Sequence, residues 1–160
     1  MKKPILIAKD VCQLTPEVLS KRGIRIVLCD LDNTLAGYSA NVPDKAVGEW
    51  IQSLKDAGIP LFIVSNAGQK RVAAFCEPLG LPFMSKARKP RPHALLEAAS
   101  FLGASPAEAA MVGDQFFTDG RAGRNAGIQV VLVPPRVKGF FFTLRRWAET
   151  PFIKRSLEQV

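Results

Sequence analysis

Short apolar runs alternate along this chain with longer stretches whose apolar residues recur every three or four positions. Ile24 to Cys29 (IRIVLC) is a β-branched run that ends on acidic residues, which predicts a strand. Pro43 opens a helical pattern with Ala46, Val47, Trp50, Ile51 and Leu54 on one face, stopped at Gly58. Leu61 to Val64 (LFIV) predicts a second buried strand, and Gln69 to Pro78 a helix with Val72, Ala73 and Phe75 inward. Leu81 to Met84 reads as a short strand or extended link. Pro92 starts a helix that runs through Leu102 to Gly103. Ala109 to Val112 and Val130 to Val133 read as two further strands, with a short helix over Thr118 to Asn125 between them and Gly127 as its stop.

The strands are continuous apolar runs rather than in/out alternations, so both of their faces are buried. Together with the strand–helix alternation, this predicts an α/β fold: a single doubly wound, Rossmann-like parallel sheet with helices on both faces. In such sheets ligands sit beyond the carboxyl ends of the strands. The residues there are Asp30 and Asp32 after the first strand, Ser65 and Asn66 after the second, and Gly113 and Asp114 after the third. Three separate strand ends thus carry acidic or hydroxyl groups that can converge.

Composition narrows the chemistry. With 160 residues there is room for one domain, and residues 1–135 are expected to form it, with segment 1–23 packed on the core. His93 is the single histidine, so a site of several histidines is excluded. Cys12, Cys29 and Cys76 form no CxxC pair, which argues against a thiolate zinc cage or a thioredoxin-type site. The odd cysteine count, the apolar run of MKKPILIAKD (too short for a signal peptide) and the absence of a spanning segment lead to the expectation of a cytoplasmic protein. The formal net charge of +8 favours anionic partners: phosphorylated substrates, nucleic acid or an anionic membrane surface.

Asp30-Leu31-Asp32-Asn33-Thr34 carries the strongest chemical signal. Two carboxylates one residue apart at a strand end can supply a nucleophile and a general acid/base, and can hold a hard cation such as Mg²⁺. A polar turn capping the next helix is the plainer use of such residues. Ser65 suits a phosphate oxygen beside backbone N–H groups, or alternatively a helix N-cap. Asp114 in Gly113-Asp114-Gln115 can point back to a metal. Asp119, after Thr118, can support that metal or orient a basic side chain. Lys89, in Lys-Pro-Arg-Pro, can neutralise both a carboxylate nucleophile and a phosphate, and Lys86 is the alternative for that role. His93 reads as a surface or capping residue.

DLDNT, VSN, the lysine of KPRP and GDQFFTD stand in the order of the four motifs of the haloacid dehalogenase-like phosphatases, and the chain resembles that superfamily. RVAAFCEPLGLPFMSKARKP and GDQFFTDGRAGRNAGIQVVLVPP are similar to the subclass IIIA phosphatases of the YqeG type, which are related to the phosphatidylglycerophosphate phosphatases. The resemblance implies an aspartyl-phosphate mechanism. Asp30 is then the nucleophile and Asp32 the acid/base. Mg²⁺ is held by Asp30, the Asp32 carbonyl and Asp114. Ser65, Asn66 and Lys89 bind phosphate, with Thr34 and Asp119 in support.

Neither Thr34 to Val64 nor Asn66 to Arg88 has room for a cap domain, so an open site is expected. That suits a large or surface-presented substrate such as phosphatidylglycerophosphate. A soluble nucleotide, sugar or protein phosphate, or an RNA- or ribosome-associated role with little catalysis, are the alternatives. Residues 136–160 form a basic, aromatic segment expected to be helical. Phe140, Leu144 and Trp147 share one face, flanked by Arg145 and Arg146. Packing of these aromatics on the sheet is the simpler reading, and an interfacial helix on anionic lipid, with the protein peripheral to the membrane, is the other.

Overall fold

A computed structural model of the chain describes residues 3–137, 147–151 and 157–160. Their strands form one sheet. They are β1 (Ile5–Ile7), β2 (Ile26–Cys29), β3 (Leu61–Val64), β4 (Phe83–Met84), β5 (Ala109–Gly113), β6 (Gln129–Leu132) and β7 (Leu157–Gln159). The order across the sheet is β4-β3-β2-β5-β6-β1-β7, and every neighbouring pair is parallel. The helices are α1 (Pro16–Lys21), α2 (Lys45–Asp56), α3 (Gln69–Cys76), α4 (His93–Phe101) and α5 (Arg121–Ala126).

Alternate residues of the central strands feed two cores, which is why the runs had to be apolar throughout. Val27 and Cys29 of β2 with Leu61 and Ile63 of β3 pack against Leu19, Val47, Trp50, Ile51, Leu54, Val72 and Phe75, from α1, α2 and α3. Ile26, Leu28, Phe62 and Val64 point the other way, onto Leu95 and Ala98 of α4 and Ala122 and Ala126 of α5. Each such buried Leu, Ile or Phe side chain contributes about 1.5–3 kcal/mol. Helices therefore lie on both faces of the sheet, as the sequence pattern implies. Among the described residues, one helix fills the interval from Thr34 to Val64, and α3, a short turn and β4 fill that from Asn66 to Arg88. Among the described residues, no cap domain stands over the carboxyl ends of the strands.

Local signals explain the element ends. The Asp44 side chain accepts from the Val47 N–H at 2.9 Å and caps α2, so the helix begins two residues after Pro43. Gly58, at φ 68°, ends it. The predicted helix over Thr118 to Asn125 is split into a wide π-type turn, Phe116–Gly120, and α5.

Both ends of the chain add strands that the hydrophobic pattern did not disclose. The ILI of MKKPILIAKD is β1, which pairs with β6. Leu6, Val11, Leu14 and Leu19 enter the main core, and the Trp50 indole N–H donates to the Leu14 carbonyl at 2.9 Å.

Where the sequence suggested a helix after Arg136, the described residues hold a short helical stretch, 147–151, and strand β7 on β1. Trp147 is 76% exposed, so this aromatic is not packed on the sheet. Phe140, Leu144, Arg145 and Arg146 lie outside the described residues. Glu149 is buried and accepts from the Phe117 N–H at 3.4 Å, which docks the helical stretch on the 116–120 turn. No helix among the described residues is long and apolar enough to cross a membrane.

Candidate active site

The central strands β2, β3 and β5 end on the same edge, and the segments that follow them converge there. Asp30 leaves β2 with its N–H still bonded to the Val112 carbonyl of β5, at 2.9 Å. The chain then turns sharply. Asn33 adopts φ 65°, and its N–H donates to the Ala36 carbonyl at 2.7 Å. Asn tolerates that left-handed backbone better than most residues. The turn brings the Thr34 hydroxyl back between two carboxylates, 3.4 Å from an oxygen of Asp30 and 3.4 Å from one of Asp114.

Lys89 is the pivot of the cluster. Its side chain is 1% exposed, and its Nζ lies 2.8 Å from Asp30 Oδ1 and 2.6 Å from Asp119 Oδ1. Burial disfavours the ammonium, but Asp119 and Asp30 hold its proton above the usual lysine range. Burial pushes Asp119 up to about 7 against the pull of Lys89. Asp119 can approach so closely because residue 113 is glycine. A Cβ there would lie 2.2 Å from Asp119 Oδ2. The Gln115 N–H donates to that same oxygen at 3.2 Å. The glycine of the Gly-Asp-Gln motif thus makes room for the acid six residues later.

Oxygens of Asp30, Asp114 and Asp119 lie within 4.8 Å of one another, and all three residues are buried. Among the described residues, the three carboxylates of the cluster face the one ammonium of Lys89, two fewer formal positive charges than negative ones. A hard divalent cation matches both that charge and the all-oxygen donor set.

Asp32 points elsewhere. Arg71 of α3 donates Nε to Asp32 Oδ1 at 3.0 Å and reaches the Gly37 carbonyl and the Asn41 side chain as well. Burial raises Asp32 above the ordinary carboxylate range, with Arg71 pulling it back. Asp30, Asp32, Ser65, Asn66, Lys89 and Gln115 line an open cleft of about 300 Å³, together with Tyr38 and Thr118.

The remaining candidate residues take distinct places around the cleft. Lys89 enters the cluster, whereas Lys86 is exposed on the loop before it. Ser65 is buried and does not cap α3, whose N-cap is Gly68. Its oxygen accepts from the Ala67 N–H at 3.1 Å, so its hydroxyl proton can still be donated into the cleft. The Asn66 carboxamide does not point at a phosphate position as a spare donor. It clamps the Lys89 backbone instead, accepting from its N–H at 2.8 Å and donating to its carbonyl at 3.1 Å. His93 is the exposed first residue of α4 and does not line the cleft.

Sequence reasoning missed Arg71, although its place in the first turn after Ser65-Asn66 puts it within reach of the strand ends. It also counted Arg136 with the basic tail. Arg136 is a brace: its Nε donates to the Thr34 carbonyl at 3.1 Å, its N–H donates to the Asn33 carbonyl, and its guanidinium pairs with Asp44.

A sequence model of haloacid dehalogenase-like hydrolases matches residues 12–127. The chain belongs to that family, and it is an enzyme of the phosphatase kind. It is 35% identical over 148 residues to "Probable phosphatase YqeG" of Bacillus subtilis (strain 168), covering 91% of this chain and 86% of that protein.

Solved structures share the fold. The cobalt-bound deoxy-D-mannose-octulosonate 8-phosphate phosphatase of Haemophilus influenzae superposes with a TM-score of 0.57 at 20% identity, over 84% of this chain and 92% of that one. An uncharacterized protein from Listeria monocytogenes gives a TM-score of 0.58 at 18% identity, over 68% of this chain and 78% of that one.

Proposed function

We propose that the enzyme hydrolyses phosphomonoesters through an aspartyl phosphate on Asp30. The observation that carries this reading is the buried cluster of Asp30, Lys89, Asp114 and Asp119 beneath a cleft lined by Asp32 and Ser65. An Asp30 oxygen attacks phosphorus as the bond to the leaving oxygen breaks, and Asp32 gives its proton to the departing alcohol. Water then attacks the same phosphorus. Asp32 takes the water's proton, inorganic phosphate leaves and the Asp30 carboxylate is restored. The Lys89 ammonium and the Ser65 hydroxyl face the equatorial phosphoryl oxygens and offset their charge. Asp119 holds Lys89 in place.

Mg²⁺ is the proposed cofactor, held by the carboxylates of Asp30 and Asp114 and the carbonyl of Asp32. When bound, it supplies positive charge that lowers repulsion between the nucleophile and the phosphoryl group.

Burial of Asp32 suits an acid that must keep its proton near neutral pH. Arg71 opposes that burial, so Arg71→Met is expected to raise the pKa of Asp32. The alkaline limb of the kcat profile should then move to higher pH. A kcat profile that stays in place, or moves down, contradicts the acid assignment.

Since no cap domain covers the cleft among the described residues, the substrate is proposed to be a phosphate presented on a surface, a lipid such as phosphatidylglycerophosphate being the leading case. The test has two parts. Turnover of p-nitrophenyl phosphate should require added Mg²⁺ and vanish with a chelator, and metal-independent turnover would overturn the cofactor assignment. Phosphatidylglycerophosphate vesicles should then be preferred over sugar and nucleotide phosphates, and equal rates would discard the lipid.

A further inference from the structure

Beside the catalytic cleft lies a second, wider groove of about 600 Å³, whose lining includes Asn41, Gly68, Gln69, Lys70, Arg71 and Lys86. The two cavities share a wall. Arg71 lines the groove while its guanidinium holds Asp32, which lines the cleft. The groove has no carboxylate in its lining, although it carries three cationic side chains. The Arg71 guanidinium is already engaged by Asp32, at 2.9 Å. Lys70 and Lys86 are exposed, and neither ammonium has an ion-pair partner among the described residues.

Lys86 is also held in an unusual way. Its backbone is at φ 49°, in the left-handed region, and Arg88 follows at φ 57°. Such backbone is costly for a residue with a Cβ, and here it is fixed from both sides. The Lys86 N–H donates to the Ala67 carbonyl at 2.8 Å, and the Ala87 N–H to the Ser65 carbonyl at 2.9 Å. Ser85 and Gln69 are joined side chain to side chain at 2.7 Å. The loop that presents Lys86 is therefore bonded to the start of α3, which presents Lys70. The same loop delivers Lys89 to the reaction centre. Two unpaired cations are in this way displayed on a fixed frame beside the place where the leaving group must depart.

We infer that this groove binds a second phosphate group of the substrate, on its leaving-group side, through Lys70 and Lys86. The inference rests on the phosphatase reading above and deepens it: the substrate is a phosphomonoester that carries a further phosphate, as monoester or diester. A plain alkyl phosphate fills the cleft alone. A doubly phosphorylated one spans the Asp32–Arg71 wall.

Three synthetic esters separate these cases: butyl phosphate, butane-1,4-diyl bisphosphate and the bisphosphate with one end closed as a methyl diester. The wild-type chain and the Lys70→Gln/Lys86→Asn double variant are compared, Asn being chosen because it accepts the left-handed backbone. For the wild type, kcat/KM should favour both two-phosphate esters over butyl phosphate by about tenfold, through KM, as two charge-assisted contacts imply. In the double variant that ratio should fall to about one.

A preference confined to the bisphosphate assigns the groove to a terminal monoester, and a shared preference assigns it to either form. Equal kcat/KM for all three esters in the wild type, or a ratio untouched in the double variant, overturns the inference. If neither these esters nor p-nitrophenyl phosphate is hydrolysed, the phosphatase reading fails separately. Calorimetric titration with butane-1,4-diyl bisphosphate then decides the groove: tighter binding than butyl phosphate in the wild type alone supports it, and equal binding in the two proteins overturns it.

Discussion

Asp30→Asn is expected to lower turnover of p-nitrophenyl phosphate by about ten-thousand-fold or more while leaving the fold intact. Magnitudes of this order follow when a covalent nucleophile is removed and the rest of a catalytic site is kept. The side chain keeps its shape, and its amide oxygen can still accept from Lys89, which retains its 2.6 Å contact with Asp119. The Asp30 N–H bond to Val112 is also independent of the side chain. Loss of activity at unchanged thermal stability therefore isolates chemistry from structure. Asp30→Asn at full activity would place the nucleophile elsewhere.

Lys89→Met should damage both activity and stability. Among the described residues, the ammonium is the one cation bonded to Asp30 and Asp119 in the buried cluster. Removing one partner of a buried ion pair costs about 3–5 kcal/mol, because the remaining charge stays buried. The loss should depend on pH. Burial pushes the Asp119 carboxyl up from its ordinary 3.8 to about 7 in the folded protein, against the pull of Lys89. A raised carboxylate means that the folded state binds more protons than the unfolded one across that window. Its contribution to stability is present below about 4 and falls as pH rises toward the folded value.

Without Lys89 that folded value rises further, so the window extends upward. Denaturation in the presence of a chelator should show the variant closest to wild type near pH 5 and furthest from it near pH 8, by the linkage of Asp119 alone. A loss of stability independent of pH would mean that Asp119 remains neutral throughout, and that Lys89 does not serve to compensate it.

The sheet was legible wherever burial on both faces forced an unbroken apolar run. Leu61–Val64 has the bounds that the pattern implied, and β2, β5 and β6 fall within one or two residues of theirs. β1 and β7 were not legible, because three residues carry no period and are defined by the strand beside them, β6 for β1 and β1 for β7. The carboxylates were legible because topology places strand ends together, whatever the details of the loops.

The choice between Lys86 and Lys89 was not legible. It depends on two residues at positive φ and on the Asn66 clamp, none of which is encoded in the spacing of the two lysines. The roles of Arg71 and Arg136 were hidden for a different reason. Each acts on a residue far away in the chain, Asp32 and Thr34 respectively, and charge counting assigned Arg136 to a tail. Five of the 22 lysines and arginines are thereby placed: a buried counter-ion, two braces and a solvent-facing pair at the second groove.

The central claim is that phosphate passes through a covalent bond to Asp30. Asp32→Asn should let that intermediate accumulate with p-nitrophenyl phosphate, since this leaving group departs without a proton and only the hydrolytic step needs the base. Acid-quenched protein should gain the mass of one phosphoryl group, localised by peptide mapping to the segment holding Asp30 and absent from the Asp30→Asn/Asp32→Asn double variant. A phosphoryl group found on another residue, or turnover with no phosphorylated protein at any quench time, would contradict the mechanism.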